Sequence, residues 1–161
     1  MVFRNIIAAA SLLAATSAVT AAPGIGDKVA DTSFTTAFGQ TMKIGDLRGE
    51  VVVLTYWMSD CEPCRKQLNI LDYYYRERRA LGLRVLAIAP EDLSNRQLRY
   101  AFKGRMIHPL ASIGGDFGPK SSFPTTYIID RNGHVRYAAS GALEIEQLNE
   151  ILVPLLREPQ P

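Results

Sequence analysis

The sequence predicts an α/β domain, in which a central mixed β-sheet is flanked by helices and preceded by an N-terminal β-hairpin. Residues 51–57 are apolar except for Thr55, and residues 83–89 are apolar except for Arg84, which is typical of strands that are buried on both faces. Amphipathic segments alternate with these strands, and a tight turn joins a later pair of strands. The chain has 161 residues, of which 47% are hydrophobic and 21% charged. It therefore has room for one ordinary domain and is not a disordered or collagen-like polymer.

The strongest predicted strand, 51–57, is rich in β-branched and aromatic residues. The segment 61–80 is predicted to be helical because Leu68 and Leu71 fall on one face. Gly82 marks the end of this helix. The other predicted elements are, in chain order, a hairpin at 32–36 and 41–43, a helical turn at 44–47, a strand at 83–89, a helix at 93–103, an irregular segment at 104–123, strands at 125–130 and 134–139, and a helix at 143–156.

The N-terminus has the layout of a signal peptide. Arg4 supplies a positive end, residues 6–19 form a short apolar run, and small residues precede a cleavage site near Ala22. The alternative is an uncleaved anchor, but the run is shorter than the ~20 residues that a membrane span needs. We therefore expect a signal peptide at 1–22 and one domain at 23–161, exported to the periplasm, where thiols oxidise readily.

Charge and cysteine content narrow the classes of function. Eighteen Lys and Arg against sixteen Asp and Glu give a net charge of +2, which does not point to a nucleic-acid partner. The only cysteines are Cys61 and Cys64. Two cysteines cannot form a disulfide framework or a four-cysteine zinc site, so they act as one local pair.

The pair lies where a buried strand ends and a helix begins, in the motif CEPC at 61–64. Unpaired N–H groups and the helix dipole stabilise a thiolate on Cys61, and the thiolate is the nucleophile. Cys64 is one turn further along and can attack a mixed disulfide at Cys61. Pro63 suits the first helical turn. Glu62 acts in the opposite direction, because a neighbouring carboxylate disfavours the thiolate.

Three other interpretations of the pair remain open at this point. A structural disulfide across four residues would restrain the unfolded chain only weakly. Half a zinc site would need further ligands, and the chain has only His108 and His134 to offer. The two cysteines are also compatible with a chance pair of buried residues.

Several segments together resemble the thioredoxin superfamily, in its exported TlpA/ResA-type branch of thiol–disulfide oxidoreductases. Three residues separate Trp57 from CEPC. The other matching segments are Gly39-Gln40, IGDLRG at 44–49, FPTTYIIDRNG at 123–133 and Gly141. The resemblance covers about residues 24–156. It implies a thioredoxin-like fold, a redox-active Cys61–Cys64 disulfide, no other cofactor and no metal.

The resemblance also implies roles for individual residues. Cys61 is expected to be the exposed attacking thiol and Cys64 the buried resolving thiol. The peptide bond before Pro124 is expected to be cis, with the backbone of Phe123 presented to an extended substrate segment. The residues expected to support the site are Trp57, Asp60, Glu62 and Pro63.

The sequence also departs from the family pattern around the cysteines. Asp60 stands where the family often has Trp or Ser. Gln67 and Asn69 replace a common Glu and Pro, and Thr55 replaces the buried acid of ordinary thioredoxins. No buried carboxylate is then evident to carry a proton to or from Cys64. Water, Glu62 or Asp60 takes that role, or proton transfer is slow.

The resemblance implies reduction of disulfides in exported proteins, of the cytochrome or copper-site maturation type. A membrane thiol transporter of the CcdA/DsbD type is the implied electron donor. The carboxylates of Asp60 and Glu62 favour a reductase, because a destabilised thiolate makes the dithiol a better reductant.

Two alternative functions belong to other classes. A copper-binding chaperone would use the soft thiolates as Cu(I) ligands, but Sco-type proteins separate their cysteines by three residues and add a histidine. A peroxidase-like redoxin would have a proline seven residues before its cysteine, and Leu54 stands there.

Overall fold

The computed structural model describes residues 22–115 and 117–160. Its elements are, in chain order, β1 (Ser33–Thr36), β2 (Thr41–Lys43), a 3-10 turn (Ile44–Leu47), β3 (Val51–Tyr56), α1 (Glu62–Arg78), a second 3-10 turn (Arg79–Leu81), β4 (Leu83–Ile88), α2 (Asn95–Ala101), β5 (His108–Ile113), β6 (Thr125–Ile129), β7 (Val135–Ser140) and α3 (Ile145–Arg157). The predicted hairpin, helical turn, central strands and helices are confirmed, with small shifts at their ends. The expected signal segment lies outside the described residues apart from Ala22.

The strands form one seven-stranded mixed sheet in the order β2-β1-β5-β4-β3-β6-β7. Strands β3, β4 and β5 run parallel, and the remaining pairs are antiparallel. β3 lies inside the sheet between β4 and β6, and all six of its residues are buried. The carboxyl ends of the parallel strands meet at one edge of the sheet, which is where α/β sheets commonly bind ligands.

Alternate residues of β3 point to opposite faces of the sheet and define two cores. Val51 and Val53 belong to the core that contains the buried side chains of all three described helices. Val52 and Leu54 belong to the other core, which the 3-10 turn Ile44–Leu47 helps to close. The helices therefore share one face of the sheet.

Helix α1 follows the interior strand β3 in the chain. It buries Leu68 and Leu71, as its sequence pattern predicts. After the second 3-10 turn the chain reverses at Gly82, whose φ of +81° favours glycine, and enters β4. The loop between β3 and α1, which carries Cys61, therefore lies between two firmly packed elements.

The sequence prediction was wrong for one strand. Residues 104–123 were expected to be irregular, but they contain β5, which pairs with β1 and β4. Pro109 lacks an N–H, and the pairing with β1 shifts register between Thr35 and Thr36 near this point. A short strand that contains proline carries little local signal, so its partners in the sheet determine its conformation.

A membrane-spanning helix is not found in the described ranges, where no helix is both long and apolar enough.

Candidate active site

Cys61 and Cys64 form a disulfide at the N-terminus of α1, with their Cα atoms 5.2 Å apart. Cys61 is the N-cap residue, and the backbone N–H of Cys64 donates a 3.2 Å hydrogen bond to Cys61 Sγ. Pro63 lies in the first turn, where its missing N–H removes no helical hydrogen bond. The backbone N–H of Cys64 and the helix dipole both favour negative charge on Cys61 Sγ once the disulfide is reduced.

The two cysteines differ sharply in burial. Cys64 is 0% exposed and belongs to the core on the helix side of the sheet. Cys61 is partly exposed and packs against that core from outside. Cys61 is therefore accessible from solvent and Cys64 is not, which suits the two roles expected of them.

The segment Phe123-Pro124 lies at the same edge of the sheet as the disulfide. Thr125 pairs with Tyr56, so Pro124 stands at the end of β3 that leads to Cys61. The peptide bond between Phe123 and Pro124 is cis, as the family resemblance implies. Phe123 is partly buried and packs against both cores. The fold thus brings together two segments that are distant in the sequence.

Trp57 lies in the core layer shared with Cys64. It is 3% exposed and packs edge-to-face on Phe102, with ring centroids 5.3 Å apart. Its Nε1 has no hydrogen-bond partner within the described residues. Trp57 is therefore held in this core by packing, and its indole N–H has no acceptor among the described residues.

Asp60 and Glu62 are both exposed beside Cys61. Glu62 Oε1 lies 3.1 Å from Lys66 Nζ, in a pair whose side chains are 67% and 73% exposed. Such an exposed pair is weak. Asp60 forms no ion pair in the part of the chain that the structure describes. The negative charge next to Cys61 is therefore only partly compensated.

Gln67 occupies the place where the family often has a carboxylate, and it is 1% exposed. Its Nε2 donates to Thr55 Oγ1 at 3.0 Å and to Thr126 Oγ1 at 2.8 Å. Its Oε1 accepts the backbone N–H of Leu143 at 2.8 Å. The amide thus makes three hydrogen bonds and fills this buried position without a charge. Sequence reasoning noted Gln67 and Thr55 only as replacements and missed Thr126.

The loop before Cys61 is held by contacts that the sequence does not signal. The backbone N–H and the Oγ of Ser59 each donate to the Glu91 carboxylate at 2.9 Å. Arg65 Nη1 donates to the carbonyl oxygen of Ser59 at 3.2 Å. These contacts fix the chain just before Cys61 from two sides.

Both histidines are engaged elsewhere. His108 Nε2 lies 3.1 Å from Tyr75 Oη and 3.2 Å from Arg84 Nη1. Burial lowers the pKa of His108 most, and the positive charge of Arg84 lowers it further. His134 Nδ1 lies 3.8 Å from Asp130 Oδ1. Within residues 22–115 and 117–160, no group of three His, Cys, Asp or Glu side chains could hold a metal, so neither histidine adds a third ligand to the cysteine pair.

Comparison with known families agrees with this geometry. The model of the AhpC/TSA family matches residues 25–138, which is more than half of the chain. The chain belongs to the AhpC/TSA family.

Two curated proteins connect this family assignment with the cysteine chemistry. The thiol-disulfide oxidoreductase ResA of Geobacillus kaustophilus strain HTA426 is 25% identical over 138 residues, covering 81% of this chain and 78% of ResA. The thioredoxin-like protein YneN of Bacillus subtilis strain 168 is 27% identical over 134 residues, covering 79% of this chain and 78% of YneN.

A solved structure confirms the fold of this AhpC/TSA family member. It is described as the thiol:disulfide interchange protein DsbE of Chlorobium tepidum, and it superimposes with a TM-score of 0.69 at 23% identity. The match covers 84% of this chain and 99% of that structure. The predicted thioredoxin-like fold is confirmed. With a CxxC disulfide at the expected helix N-terminus, the protein is a ResA-like thiol–disulfide oxidoreductase.

Proposed function

We propose that the protein reduces disulfide bonds in exported partner proteins through Cys61 and Cys64. The observation that carries this proposal is the contrast between a partly exposed Cys61 at a helix N-terminus and a fully buried Cys64. Two-step exchange needs a nucleophile that a partner can reach and a second thiol that the partner cannot reach. Cys61 is the attacking residue and Cys64 the resolving residue.

The reaction begins when the Cys61 thiolate attacks one sulfur of the partner disulfide. The partner S–S bond breaks, a mixed disulfide forms, and the leaving partner thiolate takes up a proton. Cys64 then loses its proton and attacks Cys61 Sγ, which releases the other partner sulfur as a thiolate that is protonated in turn. The partner gains two electrons and two protons, and the protein returns to the Cys61–Cys64 disulfide present in this structure.

The edge formed by Phe123 and Pro124 is the proposed binding place for the partner backbone. It lies at the end of β3 that leads to Cys61, so an extended segment could pair there while its sulfur meets Cys61. Trp57 and Pro63 would hold the loop and the first helical turn in place. This arrangement supports recognition of the partner next to the reacting cysteine.

The direction of the reaction is proposed from the charge beside Cys61. Asp60 and Glu62 are exposed, and only Glu62 has a cationic neighbour within the described chain. Carboxylates near a thiol disfavour the thiolate, which makes the dithiol a stronger reductant. This supports a reductase over an oxidase.

The signal segment at 1–22 supports export of the domain at 23–161 to the periplasm. In an oxidising compartment the pair stays reduced only with a supply of electrons. We propose the dithiol of a membrane thiol transporter of the CcdA/DsbD type as that supply. Proteins of cytochrome or copper-site maturation are the proposed partners.

Trapping tests this function. The variant Cys64→Ala cannot resolve the mixed disulfide, so expression in the native compartment should accumulate a partner linked through Cys61. The double variant Cys61→Ala/Cys64→Ala is the matched control and should trap nothing. Equal recovery from both variants would show that no exchange occurs at Cys61.

A peroxidase-like role is the second candidate, because the family match is to AhpC/TSA. It predicts that the reduced protein consumes hydrogen peroxide at least as fast as it reduces a protein disulfide. Measuring both rates on the same reduced sample separates the two functions.

A further inference from the structure

A groove lies beside the disulfide loop, on the side of helix α2. We call it the α2 groove. Its volume is about 620 Å³, and its main lining residues are Trp57, Ser59, Leu93, Arg96, Arg99 and Tyr100. Ser59 stands two residues before Cys61, so their Cα atoms are at most about 7 Å apart. A molecule in the groove therefore lies close to the attacking sulfur.

The α2 groove combines an apolar lining with basic residues. Trp57 and Leu93 supply apolar surface, and the ring of Tyr100 is 81% exposed. Arg96 and Arg99 are the charged residues that line it. Neither arginine forms an ion pair with any described residue. Arg99 Nη1 donates to the carbonyl oxygen of Ala37 at 2.9 Å, which anchors its side chain without neutralising it.

Three acidic residues stand near the groove in sequence, but none of them lines it: Asp60 follows Ser59, and Glu91 and Asp92 precede Leu93. Glu91 accepts two hydrogen bonds from Ser59, so its carboxylate is directed towards the disulfide loop. A smaller pocket on the other side of α1 has the opposite charge balance, because Glu62, Lys66 and Glu144 line it. The charged side chains that line the α2 groove are therefore basic, whereas those that line the pocket at the start of α3 include more acidic than basic residues.

Trp57 is the one buried residue among those that line the groove. Only 3% of the residue is exposed. Its Nε1–H has no acceptor among the described residues. Buried indole N–H groups usually have a hydrogen-bond partner. Because Nε1 itself is buried, Trp57 offers a bound molecule apolar surface and not a hydrogen bond.

We propose that the α2 groove binds the segment of the substrate protein next to its reacting cysteine, and that this segment carries a carboxylate beside an apolar side chain. The carboxylate pairs with Arg96 and the apolar side chain packs on Trp57 and Leu93. This inference rests on the proposed disulfide reductase function. It specifies which class of substrate that reductase prefers.

The test uses three synthetic peptides, each with one internal disulfide, that differ only in the two residues flanking one cysteine: Asp-Leu, Lys-Leu and Asp-Gly. Pre-reduced protein is mixed with each peptide, and the second-order rate constant of reduction is measured. The Asp-Leu peptide should react faster than the Lys-Leu peptide by roughly fivefold or more. The Asp-Gly peptide should also be slower than Asp-Leu, because it lacks the apolar side chain.

The variant Arg96→Glu should abolish or reverse the preference for Asp-Leu over Lys-Leu. The matched control is Lys28→Glu, which makes the same change of charge at an exposed residue bridged to His134, away from the disulfide. Lys28→Glu should keep the preference. Equal rates for the three peptides with the unaltered protein would overturn the proposal, as would loss of the preference in both variants. If the unaltered protein reduces no peptide at all, the reductase function itself fails.

Binding is measured separately from reaction through Trp57, the only tryptophan in the chain. Cysteine-to-serine versions of the peptides are titrated into the oxidised protein while the tryptophan emission is followed. A saturable change with the Asp-Leu peptide, weaker with Lys-Leu and weaker in Arg96→Glu, is the expected result. A response of equal size and affinity for the Asp-Leu and Lys-Leu peptides would contradict the assignment.

Discussion

Gln67 Nε2 lies 2.8 Å from Thr126 Oγ1, which connects α1, the helix that begins at the disulfide, to the strand that follows Pro124. Both residues are almost completely buried. The contact therefore fixes the distance between the two halves of the site. Because neither group ionises, it does so at any pH at which the protein is folded.

Replacing Gln67 with Glu should make the stability of the protein dependent on pH. The carboxylate keeps an acceptor but loses the donors to Thr55 and Thr126. We expect the unfolding free energy at pH 7 to fall by about 1–3 kcal/mol. Burial raises the pKa of the new carboxyl above its unfolded value of ~4.3. The stability deficit is thus smallest below that value and grows as the pH rises through the folded pKa.

Urea unfolding of the oxidised protein near pH 4 and at pH 7 measures this difference. The control is Gln67→Leu, which removes the hydrogen bonds without adding a charge and should show a deficit that does not vary with pH. A pH-independent deficit in Gln67→Glu would mean that the carboxyl is solvated.

Replacing Asp60 with Asn should make the Cys61–Cys64 couple more oxidising. Removal of an exposed carboxylate stabilises the Cys61 thiolate and with it the reduced form. The expected rise in reduction potential is roughly 10–30 mV, as for a small electrostatic change in a two-electron couple. Equilibration with glutathione buffers measures the potential. Glu77→Gln, an exposed change far along α1, is the control and should leave the potential unchanged.

Alkylation of the reduced protein should distinguish the two cysteines. Cys61 is partly exposed, whereas Cys64 is 0% exposed. Iodoacetamide should therefore modify Cys61 at least about tenfold faster, because reactivity follows access and thiolate character. Peptide mass spectrometry after short exposures gives both rates. Faster labelling of Cys64 would reverse the proposed assignment of the attacking residue.

Asp72 should contribute to stability towards acid. Burial alone would raise its pKa, but hydrogen bonds from Arg76 and from the backbone N–H groups of Met106 and Ile107 outweigh burial and lower the pKa. A lowered folded pKa means that the contribution is present above the unfolded value of ~3.9 and is lost as the pH falls through the folded pKa. Asp72→Asn should therefore lower the unfolding free energy by about 1–3 kcal/mol at pH 7.

The same variant should lose little stability relative to the unaltered protein below the folded pKa of Asp72. Thermal unfolding between pH 2 and pH 7 tests this, with Glu77→Gln as the exposed control. A constant difference across that range would show that the charge of Asp72 is not involved.

The sequence carried enough information for the central sheet and for the cysteine pair, because both depend on local patterns. β3 and β4 are short runs that are apolar except for Thr55 and Arg84, and CEPC stands where the chain passes from a strand into a helix. β5 could not be predicted in the same way, because its pairing with β1 and β4 outweighs a weak local pattern with Pro109 inside it.

The contacts that hold the site were also beyond local reasoning. Gln67 meets Thr126 across 59 positions, and Ser59 meets Glu91 across 32. Neither pair has a recognisable spacing, and each depends on how the strands are ordered in the sheet. Sequence patterns located the reacting atoms but not the polar groups that fix them.

Phe123 touches both cores, so it joins the two layers of the molecule at the edge that carries the disulfide. A partner that binds beside Phe123 consequently contacts a side chain that is packed against both layers. Docking at this edge should then slow amide hydrogen exchange in the strands below it as well as at the surface. Binding of a partner at this site would therefore stabilise the packing of the two layers against each other.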